Sequence, residues 1–184
     1  PSRRVWLHLQ VLDKDGKVVF ESGKPNSDGT ISGNSADSDI YTHEPHYDLI
    51  TSSDQVQIYE AILRDMEGDV THKLLEASGY AKDNRLLPAG FDKNTAGEMF
   101  AVWGDALQDD NFIGGSDTVT YQVDTSSSSG PFTVKAALMY QSMAYSTIQS
   151  IIDVDTPQVK EFKSYWDSSD KSSEMIAFAT EEIS

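Results

Sequence analysis

The chain has 184 residues, with 30 Asp and Glu against 14 Lys and Arg, and no Cys. A formal charge of −16 repels nucleic acid phosphates and anionic lipid surfaces, and favours cations or basic proteins as company. The lack of thiols excludes a disulfide scaffold, zinc–thiolate and iron–sulfur sites, Cys nucleophiles and any CxxCH haem attachment within this chain.

A hydrophobic fraction of 38% is enough to bury the core of one domain. Val5, Leu7, Leu9 and Val11 alternate with Trp6, His8, Gln10 and Leu12, which predicts a strand with apolar residues on both faces. Asp13-Lys14-Asp15-Gly16 reads as a hairpin turn, and Lys17 to Glu21 as the returning strand. Residues 22–40 form a long polar loop. Gln55 to Leu63 predicts a third strand and Val70 to Ala77 a fourth, while 78–115 reads as irregular. Thr118–Asp124 and Phe132–Tyr140 alternate as strands, joined by the Ser-rich linker 125–131.

After Gln141 the period turns helical, with Met143, Ile148, Ile151 and Ile152 on one stripe. Thr156-Pro157 is a helix start, followed by Val159, Phe162, Tyr165 and Trp166 at helical spacing. Ser172–Glu182 reads as a last helix. Strands first and helices last predict a mainly β protein: a jelly-roll-like antiparallel β-sandwich with long loops over residues 1–145, then a helical appendage over 146–184, packed on it or on a neighbouring domain.

Asn26, Asp28, Asn34, Asp37 and Asp39 gather in one loop. Calcium takes several such oxygens, and Asp37-x-Asp39 after Asn34 has the alternate spacing that turns carboxylates into one concavity. The expectation is a calcium site there, without the 12-residue pattern of an EF-hand; the plainer reading is a solvated loop of Asx turns. Asp105, Asp109, Asp110 and Asp117 form a second acidic group around Gly114-Gly115, which also reads as a simple turn. His43-Glu44-Pro45-His46-Tyr47 holds a local His pair of the type that ligates transition metals, but Pro45 keeps it off a helix, so nothing makes the rings converge.

Arg3, Arg4, Lys82 and Arg85 concentrate positive charge in an acidic chain and are candidates for docking an acidic partner or haem propionates. For Arg85 the plainer reading is a pair with a nearby carboxylate. Trp6, Trp103 and Trp166 suit either core packing or a sugar-stacking platform. No G-x-S-x-G elbow is present, and carboxylate pairs such as Glu60 and Asp65 are not distinctive in so acidic a chain, so no catalytic activity is predicted.

The stretches PSRRVWLHLQVLDKDGKVVFESG (1–23), EPHYDLITSSDQVQIYEAILRD (44–65) and KDNRLLPAGFDK (82–93) resemble the domain that follows the haem-binding region in a family of bacterial multihaem c-type cytochromes. The likeness runs from Pro1 to about Tyr145 and is distinctive up to 93. It implies a periplasmic or cell-surface electron-transfer protein whose haem c groups are attached in a preceding part of a longer parent. The implied partners are that haem-bearing domain and a redox protein. In the parent, the preceding segment is expected to run straight into the first strand, with Arg3 and Arg4 at the junction. Two functions stand side by side: a non-catalytic accessory domain that orients the haem domain or docks a partner, and a calcium-stabilised extracellular binding module, for example for carbohydrate. One domain can be both.

Overall fold

The computed structural model describes residues 2–184. The strand expected first, β1 (Arg4–Leu12), is the one on which the rest is assembled. It turns through Asp13–Lys17, where Asp13 Oδ1 accepts from the amides of Asp15 and Lys17, and Gly16 takes a φ of 77° that other residues rarely adopt. It returns as β2 (Val18–Ser22), antiparallel to Leu9–Leu12. Gly23 ends β2 against β1: a Cβ there would sit 2.2 Å from the Leu7 carbonyl oxygen.

The following loop carries one 3-10 turn, Ser35–Asp37, and leads to the short β3 (Leu49–Ile50). The predicted strand 55–63 is split at Glu60 into β4 (Ile58–Tyr59), which pairs with Val5 and Trp6 of β1, and β5 (Ala61–Arg64). The split has a local cause. The Glu60 amide donates to Asn84 Oδ1 instead of a neighbouring strand.

Val70–Ala77 forms no strand; Val70 makes only a single bridge to Arg64. The partner of β5 is β6 (Gly79–Asp83), inside the stretch read as irregular. Its sequence, GYAKD, has no apolar alternation to announce it. Two further 3-10 turns, Glu98–Phe100 and Asp105–Leu107, precede β7 (Thr120–Tyr121), which is shorter than predicted and runs parallel to β3. Then β8 (Phe132–Gln141) pairs antiparallel with the whole of β1. The helices α1 (Tyr145–Gln149) and α2 (Pro157–Ser168) follow, and α2 is capped by Thr156 Oγ1 accepting from the Val159 amide, as its Thr-Pro start predicts.

The last segment corrects the sequence expectation. Ser172–Glu182 is not a helix; Glu174–Ile183 is a strand, β9, antiparallel to β8 from Phe132↔Ile183 to Tyr140↔Glu174. Met, Ala and Glu are good helix formers, so local propensity misleads here, and the free edge of β8 overrides it.

The fold is mainly β, with antiparallel pairing throughout the main sheet. That sheet has the order β2-β1-β8-β9, with β4 beside the start of β1. This differs from the two four-stranded sheets of a jelly roll. The covers on its two faces are mostly loops. On one face Trp6 packs with Ile31, Val56, Ile58, Ala137 and Met139. On the other Tyr59, Val102, Ala106 and Phe112 pack against Val5, Leu7 and Leu138. No described helix is long and apolar enough to cross a membrane.

Arg4 ties the first loop to this sheet. It is 1% exposed. Its guanidinium holds Asp37 with two bonds, 2.7 and 3.1 Å, and donates to Gly29 O at 3.0 Å and Gln141 Oε1 at 2.8 Å. Removing one member of a buried pair leaves the other charge uncompensated, at a cost of about 3–5 kcal/mol. Arg4→Met is expected to lose that much in urea denaturation. Arg4→Lys should recover only part of it, since one ammonium cannot reproduce a two-pronged contact. A wild-type midpoint for Arg4→Met would show that Arg4 does not hold the loop.

Candidate functional site

The fold brings together two groups of residues that lie far apart in the chain. His46 follows Pro45 in the extended segment before β3; Asp109 and Asp117 come from the loop that leads into β7. His46 Nε2 lies 3.1 Å from Asp109 Oδ2 and 4.0 Å from Asp117 Oδ2. Phe112, between the two aspartates, packs against the imidazole with ring centroids 4.9 Å apart. Tyr59 Oη donates to Asp117 Oδ2 at 2.6 Å. The His46 side chain is 1% exposed.

The other ring nitrogen decides what this cluster is. His46 Nδ1 receives two side-chain amides: Gln57 Nε2 at 2.9 Å and Asn84 Nδ2 at 3.0 Å. Neither amide can be turned over. Gln57 Oε1 accepts from the Tyr47 amide at 2.7 Å, and Asn84 Oδ1 accepts from the Glu60 amide at 2.9 Å. Asn84 Nδ2 also donates to Ile58 O. So Nδ1 is an acceptor, the proton sits on Nε2, and that N–H donates to Asp109.

Among the described residues, His46, Asp109 and Asp117 are the group whose donor atoms, all within 4.8 Å of one another, could hold a metal ion. Their surroundings argue otherwise. A ligating imidazole needs its lone pair at the metal and its second N–H on an acceptor. Here the proton faces the carboxylates and the lone pair is taken by two donors. The arrangement is a closed clamp that fastens the 41–47 segment to the 105–118 loop. Lys93 completes it from behind, donating to Ala106 O at 2.9 Å and to the Asp109 carbonyl, 5.7 Å from the Phe112 ring centre.

A second buried pair joins β5 and β6. Lys82 Nζ donates to Glu60 Oε1 at 3.2 Å, and both side chains are nearly inaccessible. Burial pushes the Lys82 ammonium below its ordinary value, while Glu60, Glu44 and Asp105 pull it back up. Burial and the nearby Lys82 lower His43.

The residues expected to bind calcium make hydrogen bonds, four of them within their own segment and Asp37 with Arg4 of β1. Asn26 Nδ2 donates to Thr30 and Ser32; Asp28 accepts from the Thr30 hydroxyl and amide, which hold its carboxyl below the usual value. Asn34 caps the 3-10 turn through Oδ1, and its Nδ2 is a buried donor without a partner among the described residues. A donor is the wrong polarity for a cation. Asp37 is held by Arg4 and also accepts from the Ile31 amide; Asp39 accepts from the Tyr41 amide. Asp28, Asp37 and Asp39 form no common group within 4.8 Å.

Of the cationic residues singled out in the sequence, Arg3 and Arg85 reach the surface, whereas Arg4 and Lys82 are buried in ion pairs. Arg85 forks onto Asp83 at 2.8 and 2.6 Å. The meeting of His46 with Asp109 and Asp117 has no sequence signal, because 63 residues separate His46 from Asp109. Gln57 and Tyr59 carry a faint one, as polar groups interleaved in the apolar run Val56–Ala61.

Tyr59→Phe removes a hydrogen bond to a buried carboxylate, worth about 1.5–3 kcal/mol, and denaturation should register that loss. Wild-type stability would show that Tyr59 leaves Asp117 indifferent. The pH dependence has a definite sign. Burial first, then a carboxylate partner, raises the hydroxyls of Tyr47 (Glu44) and Tyr59 (Asp117), and burial alone raises Tyr121. Above the free tyrosine value of about 10 the unfolded chain gives up these protons while the folded chain keeps them. Stability is therefore complete below that pH and falls as pH rises further. Phenolate absorbance from these three should appear together with loss of tertiary circular dichroism; ionisation of all eight tyrosines in a still-folded chain would contradict it. No protein-family model, curated protein or solved structure matches the chain.

Proposed function

We propose that this chain is a non-catalytic accessory domain of a multihaem c-type cytochrome, at the periplasmic or cell-surface side, which orients the haem-bearing domain or docks a redox partner. The resemblance of residues 1–23, 44–65 and 82–93 to such proteins supports the reading. So does the shut histidine clamp, which offers no substrate a route to its imidazole.

The observation that carries the docking role is β9. All ten of its residues are exposed, and Met175, Ile176, Phe178 and Ile183 are each more than half exposed. It is the end strand of its sheet, so one row of its backbone groups has no partner strand. End strands are usually guarded by Lys, Pro or a covering loop. β9 has neither Lys nor Pro; it carries only Glu174, Glu181 and Glu182. An apolar, acidic strand in a chain of −16 suits a basic neighbour.

Hydrogen exchange on the chain alone and within its haem-bearing parent tests this. The amides of 174–183 should exchange at least tenfold more slowly in the parent or in its redox complex. Phe178→Lys with Met175→Lys should leave the isolated chain folded and abolish that protection. Equal exchange of β9 in both settings would overturn the reading.

A further inference from the structure

We propose that the cleft between the loop after β2, α1 and α2 is a binding site for a neutral saccharide with a flat pyranose ring, and that Trp166 is the apolar platform for that ring. This is independent of the docking role.

The fold divides the three tryptophans by task. Trp6 is core: it is 1% exposed, and its indole N–H donates to Gly23 O at 2.8 Å. Trp103 packs against Tyr80, with ring centroids 6.5 Å apart, and the Arg64 guanidinium lies over it. Trp166 belongs to neither core cluster. It is half-buried on α2, a helix without a buried residue, and it lines a cleft of about 470 Å3 together with Asp28, Tyr145, Gln149, Asp153 and Asp167. That volume lies within the range of small-molecule sites.

The chemistry of the lining suits a sugar. A pyranose has an apolar C–H face and a rim of hydroxyls that both donate and accept. An indole supplies a flat apolar surface for the face. The rim needs donors and acceptors together. Tyr145 and Gln149 offer both, the aspartates accept, and Lys163 and Lys171 of the same lining donate. Asp28 is set in place by Thr30, whose hydroxyl and amide both donate to Oδ1. Lys171 Nζ lies 5.3 Å from the Trp166 ring centre, which keeps a donor beside the platform. Three carboxylates face two ammonium groups in this lining, and Lys163 already pairs with Asp167 at 3.5 Å, so an anion is disfavoured. A metal ion is disfavoured too, since Asp28, Asp153 and Asp167 form no common group within 4.8 Å.

The test is an amide chemical-shift titration of the full chain with cellobiose, sorbitol, cyclohexanol and sodium glucuronate. Cellobiose carries only equatorial ring hydroxyls, which leave its ring faces apolar. It should saturate with a Kd on the order of millimolar and shift the amides of Asp28, Tyr145, Gln149, Asp153 and Trp166 together with the Trp166 indole N–H. Sorbitol has the hydroxyls without the ring, cyclohexanol has a ring with one hydroxyl, and glucuronate adds a negative charge. Each should bind at least tenfold more weakly than cellobiose. Trp166→Ala lies outside both core clusters, so it should keep the wild-type melting midpoint and weaken cellobiose about fivefold or more. Should that variant fail to fold, Gln149→Leu removes a donor and an acceptor at similar bulk and should weaken cellobiose threefold or more without weakening cyclohexanol. Failure of cellobiose to saturate, equal affinity for sorbitol, cyclohexanol or glucuronate, shifts confined to other surfaces, or an unchanged Kd in the folded variants would each overturn the proposal.

Discussion

The structure depends on one charged contact formed where water is excluded. Arg4 opens β1, Gln141 closes β8 opposite it, and Gly29 and Asp37 come from the loop that covers Trp6. Gln141 itself donates to Gly29 O, so the loop is bound from two strands at one point. A loop that covers this face has to be fastened by side chains, and a guanidinium is the group that can reach a carboxylate, a carbonyl and an amide at once. The contact sits beside the Trp6 cluster, which the same loop covers through Ile31.

The same device recurs wherever loop stands in for strand. A covering loop must satisfy its own backbone polar groups, since it has no ladder to do so. Here aspartates do much of that work: Asp13, Asp28, Asp39, Asp65, Asp92 and Asp124 each accept from the amide two residues on. Much of the acidity of the chain is thus a means of building turns. The His46 clamp and the Lys82–Glu60 pair then fix how those turns sit against β4, β5 and β6. Buried polar groups of this kind cost desolvation, and the hydrogen bonds between them offset it.

What was legible in the sequence was whatever repeats along it. The alternation in β1 and β8 and the Thr-Pro start of α2 express their structure locally, and the structure has them where the pattern places them. The 26–39 acids were legible as a cluster, and spacing alone cannot tell a coordination sphere from the Asx turns that Asp28 and Asp39 form. β6 and β9 escaped for a different reason. β6 is too short and mixed to alternate, and β9 is exposed on both faces, so neither burial nor periodicity marks it. The His46 cluster lay beyond reach altogether: its two halves were visible separately, and only the tertiary fold sets the distance between them.

β9 also gives the domain two levels of cohesion. It is attached along nearly its full length by main-chain bonds to β8, with a register shift between Leu138 and Met139, yet it contributes nothing to either core cluster. Its removal would therefore cost ladder hydrogen bonds and little buried apolar surface, leaving the packed part of the domain intact. In this sheet β9 is thus held by its backbone rather than by its side chains, the reverse of the loops, which side chains fasten.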